Sequence, residues 1–176
     1  ESLKDVDFIQ LHSLDGDDAS CLNLNQVQKP RILGIKPEVF NSRHSFTFVN
    51  SLGSVSKNNP WLELKKRYGD DVIPAIADQT VITWGLKKAL GDTLIYLNES
   101  GKKIKLLLVA ALDNSIFQGN ILIADSLFVQ NFPSTSGSKI MLIDAPKANQ
   151  EQLAQLLNSS LTDYGIELTP TSTRLA

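Results

Sequence analysis

The chain has 176 residues and a net charge of −2, with 42% hydrophobic and 20% charged residues. That length can bury a core without covalent staples, and the composition is globular rather than disordered. Lysine and arginine are spread along the chain, which excludes the basic footprint of a nucleic-acid binder, and no apolar run approaches the roughly 18 residues of a bilayer span.

In chain order, Val6–Leu14 (VDFIQLHSL) alternates and predicts a strand, and Asp15-Gly16 is a turn signal. Pro30–Ile35 is a short apolar run, and Pro37–Phe40 reads as one helical turn. Residues 41–58, rich in Ser, Asn and Gly, read as a loop with one short strand. Asn59-Pro60-Trp61 is a helix start, with Asn as the cap and Pro where its missing N–H costs nothing. Trp61, Leu64 and Tyr68 share its apolar face, and Gly69 ends it.

Val72–Ala77 (VIPAIA) predicts a buried strand, after which Asp78 is expected to cap a short helix carrying Val81, Ile82 and Trp84. Thr93–Leu97 and Ile104–Leu112 are strands joined by a hairpin turn at Asn98-Glu99-Ser100-Gly101. Ile121–Ala124 is a strand, Asp125 is expected to cap a helix ending before Pro133, and Lys139–Ile143 is a further strand. In Asn149–Tyr164, Leu153, Leu156, Leu157, Leu161 and Tyr164 form a helical stripe. Gly165 stops that helix, and Ile166–Leu168 reads as a last strand. Strands, hairpins and helices are mixed throughout. The expected class is α+β, with mixed or antiparallel sheets and packed helices, and a split βαβ arrangement in the second half. The expected organisation is one domain over 1–176, divisible into a smaller lobe (15–70) and a main lobe (1–14 with 71–176).

Two stretches look reactive. In GDDASCLN (16–23), Asp17, Asp18, Ser20 and the single cysteine, Cys21, crowd together. A nucleophilic thiol needs a histidine or helix N-terminus to lower its pKa, and the chain offers only His12 and His44. The residues favour a small buried hydrophobe at Cys21. A calcium loop starting at Asp15 lacks its closing glutamate, since the next one is Glu38. A turn in which the Asp side chains accept backbone N–H bonds fits better. The second stretch is Asp113-Asn114-Ser115-Ile116-Phe117-Gln118-Gly119. It reads as a turn with self-bonded polar groups and apolar plugs, because no nucleophile–base pair is at hand. No phosphate-loop, dinucleotide, zinc-ligand or GxSxG pattern occurs. No catalytic residue, cofactor or metal is expected.

Several segments carry a resemblance: GDDASCLNLNQVQKPRILGI, NPW, IPAIADQTVITWGLKKALGDTL, LLLVAALDNSIFQGNILIAD, and FP followed by GSKIMLID. Together, over 15–176, they resemble the extracytoplasmic domain of FtsX-like, MacB-type ABC transporter permeases. The positions that carry it are Gly16, Asp17, Asp18, Ser20, Cys21, Asn23, Asp113, Ser115, Phe117, Gln118 and Gly119, and the resemblance implies that they are structural. It implies a fragment of a multi-pass membrane protein, on the outer side of the bacterial cytoplasmic membrane, without chemistry of its own. Its implied partners are the permease's own transmembrane helices, a periplasmic protein and, indirectly, a cytoplasmic ATPase subunit. The full transporter would be a homodimer or pseudo-dimer. No hook of the lipoprotein-transporting members is matched. The residues also admit a ligand- or partner-sensing module of a membrane complex, which a deep cleft with convergent polar groups would favour. A hydrolase built on Cys21 would need that thiol beside His12 or His44.

Overall fold

The computed structural model describes residues 5–16, 29–44, 46–56, 60–135 and 137–175. They form an α+β fold around a mixed sheet of eight strands, as the composition of elements predicts. The strands are β1 (Asp7–Leu14), β2 (Arg31–Ile35), β3 (Phe48–Ser51), β4 (Val72–Asp78), β5 (Thr93–Leu97), β6 (Lys103–Leu112), β7 (Asn120–Ala124) and β8 (Ile140–Asp144). The helices are α1 (Pro37–Arg43), α2 (Asp125–Asn131), α3 (Gln150–Leu161) and the short α4 (Thr171–Arg174).

The strand order is β3-β6-β4-β7-β2-β1-β8, with β5 also on β6. The length of β6 explains the branching. One edge runs parallel to the whole of β4, while the other is shared by β5, opposite Lys103–Leu107, and β3, opposite Ala110–Leu112. β7 lies antiparallel to β4 and parallel to β2, and β1 is antiparallel to β2, with His12 opposite Gly34. β7 and β8, linked through α2, are not neighbours, because β2 and β1 stand between them; the expected split βαβ has one strand there.

Two compact units divide the chain. One takes residues up to Gln10 with those from Met141 onward, and the other is Leu11–Ile140. The described residues of 15–70 fall in the same unit as 71–140.

In the larger unit, β4 and β7 are buried at successive positions, Ile73–Asp78 and Asn120–Ala124. Successive side chains point to opposite faces, so both faces of these strands are covered. One apolar cluster joins Ile73, Ala75, Leu94, Tyr96, Leu106 and Leu108 to Val81, Ile82 and Leu86 and to Phe128 of α2. Phe40 of α1, Trp61, Leu64 and Phe117 are buried as well. The Pro60–Lys65 segment is a 3-10 turn packed on β4, β7 and α1. Asn59, its expected cap, lies outside the described residues, and Tyr68 falls beyond the turn.

In the smaller unit, Leu153 is the buried position of α3, while Leu156 and Tyr164 of the expected stripe are exposed. A 3-10 turn, Thr162–Tyr164, and a left-handed Gly165 (φ 68°) end the helix, as the glycine predicts. The strand expected at Ile166–Leu168 does not form. That stretch is irregular with Ile166 exposed, and among the described residues no strand pairs with it.

Candidate functional site: the 113–119 turn and the groove beside it

The parallel pairing of β4 with β6 sets Asp78 opposite Leu112, so the chain leaves β6 beside the last carboxylate of β4. Asp78 does not cap the following turn. Its fully buried carboxylate accepts bonds from the Ser115 backbone N–H (3.0 Å to Oδ1) and the Ser115 hydroxyl (3.1 Å to Oδ2). The same hydroxyl oxygen accepts the Phe117 N–H at 3.1 Å. Asn120, opening β7, donates its amide to the carbonyls of Phe117 (3.2 Å) and Gln118 (3.0 Å). Gly119 takes φ 78°, where a side chain is disfavoured, and Asn114 takes φ 25°. Burial pushes the Asp78 carboxyl above its ordinary value; the two Ser115 bonds oppose that rise, and the charge of Asp113 adds to it.

The turn is therefore a closed lock. Ser115 has its proton committed to Asp78 and a lone pair committed to Phe117, which leaves no free nucleophile. Asp113 and Gln118 are exposed; the Asp113 N–H donates to the Thr47 carbonyl (2.9 Å), and Gln118 bonds Asn114 (2.5 Å).

Phe117 drops from this lock into a ring cluster, with ring centres 5.2 Å from Phe46 and 5.9 Å from Phe40. Trp61 stands 5.1 Å from both Phe40 and Phe48 and 5.8 Å from Phe46. Above the cluster is an open groove of about 310 Å³ lined by Asn41, His44, Phe46, Thr47, Phe48, Pro60 and Trp61. Trp61 itself is buried, while Phe46 and Phe48 are half-buried in the groove wall.

Of the other resemblance positions, Gly16 is explained by close approach. A Cβ there would stand 2.1 Å from the Lys29 carbonyl oxygen. Asp17, Asp18, Ser20, Cys21 and Asn23 lie outside the described residues. Asp15, the first acid of that run, binds Lys139 (2.8 Å) and Arg31 (3.2 Å), and Lys139 foremost draws its carboxyl below the ordinary value. Among the described residues, no three His, Cys, Asp or Glu side chains are grouped to hold a metal.

A pairing that the sequence does not announce lies at the other end of β7. His12 Nδ1 is 2.5 Å from Asp125 Oδ1, and its ring stacks on Phe128 with centres 5.5 Å apart. Asp125 is the first residue of α2 rather than its cap. Gly34 makes room, because a Cβ there would meet Phe128 at 2.9 Å and Asp125 at 3.1 Å. The pair is a clasp between β1 and α2, and Cys21, the thiol that a hydrolase would set beside His12, lies outside the described residues. The chain matches no protein-family model and no curated protein.

Proposed function

We propose that this chain is the extracytoplasmic domain of an FtsX-like, MacB-type ABC transporter permease, on the outer side of the bacterial cytoplasmic membrane. In this reading it performs no chemistry and binds no cofactor. It passes movement of the permease's transmembrane helices to a periplasmic partner or substrate, while a separate cytoplasmic ATPase hydrolyses ATP. The carrying observation is that two distant segments of the resemblance, IPAIAD and DNSIFQG, meet through Asp78 and Ser115 in a buried bond set. Residues so committed stiffen a fold; they do not act on a substrate. Both faces of β4 and β7 are packed, which supports transmission as a rigid body.

The test is purification of the full-length parent from membranes under mild detergent. Stoichiometric recovery of an ATP-binding-cassette subunit, with the domain cleavable by protease added outside spheroplasts, is expected. An intact parent that retains no ATPase and is shielded from external protease would overturn the proposal. The groove over Phe46, Phe48 and Trp61 favours a second reading, a partner-sensing module. Substitution at Asn41 or His44 would then abolish signalling while leaving ATPase association intact.

A further inference from the structure

The most exposed large apolar side chain in the larger unit is Trp84, at 78% exposure. It sits in a wide, π-type turn, Val81–Gly85, a geometry that recurs at functional sites. The turn is firmly rooted. Val81, Ile82 and Leu86 are buried in the core cluster, Leu86 N–H donates to the Val81 carbonyl (2.8 Å), and Lys88 N–H donates to that of Ile82 (2.9 Å). Gln79 bonds Thr83 across its outer side (2.6 Å). Next come Lys87 and Lys88, both exposed, neither ion-paired with another described residue. Lys87 is held at φ 53°, a left-handed conformation that an L-residue adopts at a cost. The acid of the same loop, Asp92, is engaged by the Ala89 N–H (2.9 Å).

An indole raised on a rigid tip beside two exposed ammonium groups has a specific chemistry. Indole partitions into the headgroup layer of a bilayer, with its ring in the apolar boundary and its N–H toward water. Lysines beside it are drawn to anionic headgroups. A tryptophan at the centre of a protein interface is ringed, once the partner is bound, by contacts that exclude water. Here its sequence neighbours Thr83, Gly85, Lys87, Lys88 and Ala89 are polar, small or charged, and exposed.

We infer that the turn at Val81–Gly85 is a membrane-contact tip, with Trp84 seated among the headgroups and Lys87 and Lys88 paired with anionic lipid phosphates. One indole and two lysines give a weak contact, which matters only for a domain already held near the bilayer; in that respect the inference rests on the permease reading.

The test supplies the tether artificially. The chain with a C-terminal hexahistidine tag is held on vesicles containing a nickel-chelating lipid and brominated phosphatidylcholine, with or without phosphatidylglycerol. The protein has two tryptophans, so a Trp84→Phe variant reports buried Trp61 alone, and subtracting its signal from that of the parent isolates the Trp84 emission. Bromine quenching of Trp84 is expected on the anionic vesicles. Lys87→Gln with Lys88→Gln should lower the tip's binding constant for the anionic membrane about twenty-five-fold, roughly fivefold per lysine. These side chains are exposed, so the variants keep the fold, which circular dichroism checks. Trp84 left unquenched on anionic vesicles while the protein is bound overturns the inference and points to a protein partner. Quenching that ignores both phosphatidylglycerol and the lysines also overturns it. Because the nickel lipid provides the tether, failure here leaves the permease reading standing, and failure of the ATPase recovery leaves the quenching result intact.

Discussion

Ser115→Ala removes one oxygen and with it two buried interactions. The first is the hydroxyl bond to the Asp78 carboxylate, and the second is the acceptor for the Phe117 N–H. A hydrogen bond to a charged group is worth about 1.5–3 kcal/mol, and an orphaned buried N–H costs about 1–3 kcal/mol. The Ser115 N–H bond to Asp78 survives, and the turn can relax, so the expected loss is about 3 kcal/mol rather than the full sum. In a domain of this size that lowers the melting midpoint by roughly 6–12 °C.

The loss should also depend on pH in a definite direction. The folded Asp78 carboxyl already titrates above its ordinary value, so between the unfolded and folded pKa the native state holds the extra proton. Stability therefore falls as pH rises through that window and is flat above it. Removing the Ser115 hydroxyl takes away a bond that opposes the rise, so the folded pKa moves higher and the window widens. The penalty of Ser115→Ala should be largest above the folded pKa of Asp78 and shrink as pH falls toward the ordinary aspartate value. Urea melts followed by tryptophan emission at a series of pH values measure both features, with exposed Gln118→Ala as a control expected within about 0.5 kcal/mol of the parent. A loss below about 1 kcal/mol, or one that does not vary with pH, would refute the lock.

Phe117→Ala should cost about 3–5 kcal/mol and red-shift Trp61 emission, because it opens the ring cluster from beneath; an unshifted spectrum would mean that the cluster does not depend on the turn. Gly34→Ala should cost about 1–3 kcal/mol in denaturant melts, since its Cβ would press on Phe128 and Asp125; a neutral result would show the clasp to be slack. Gly16→Ala should destabilise by at least as much, because the obstruction is the Lys29 backbone carbonyl rather than a movable side chain; an unchanged midpoint would mean that the segment swings aside freely.

The strands were legible where the chain writes its own periodicity. The VIPAIA run announces a strand buried on both faces, and β4 is that strand. The Asn98–Gly101 turn joins β5 to β6, with the Gly101 N–H bonded to the Asn98 carbonyl at 2.9 Å. What failed was every decision made between distant residues. An aspartate before a helical pattern reads as a cap, yet Asp78 has a better partner 37 residues away. His12 and Asp125 are 113 residues apart, and nothing local marks them as a pair. Periodicity in α3 shows which side is apolar but not whether anything covers it, and Leu156 stays exposed. Ile166–Leu168 has strand-like residues and, among the described residues, no neighbouring ladder. For the 113–119 turn, the local bond of Ser115 to the Phe117 N–H and the buried Phe117 agree with the sequence reading, but Asn114 bonds the Gln118 side chain, Ile116 is only half-buried, and the principal partner, Asp78, is invisible for the same reason of distance.

The lock and the exposed tip meet at one residue. Asp78 ends β4, and only Gln79 and Thr80 separate it from the turn that carries Trp84. The carboxylate of Asp78 is tied to Ser115, while the backbone beyond it is rooted by Val81, Ile82 and Leu86. A push on the tip therefore finds no slack at its base. It passes into β4, whose buried residues are gripped on both faces and whose ladders run to β6 on one side and β7 on the other. Such a strand cannot bend locally without opening packed apolar contacts, and an interior at crystal-like density has few voids to absorb the strain. The less costly response is displacement of the larger unit as a body. If the tip does rest on a bilayer, the buried Asp78–Ser115 bonds are what make that contact mechanical rather than merely adhesive. This gives a physical reason for spending a fully buried carboxylate, which is costly to desolvate, at the root of an exposed turn.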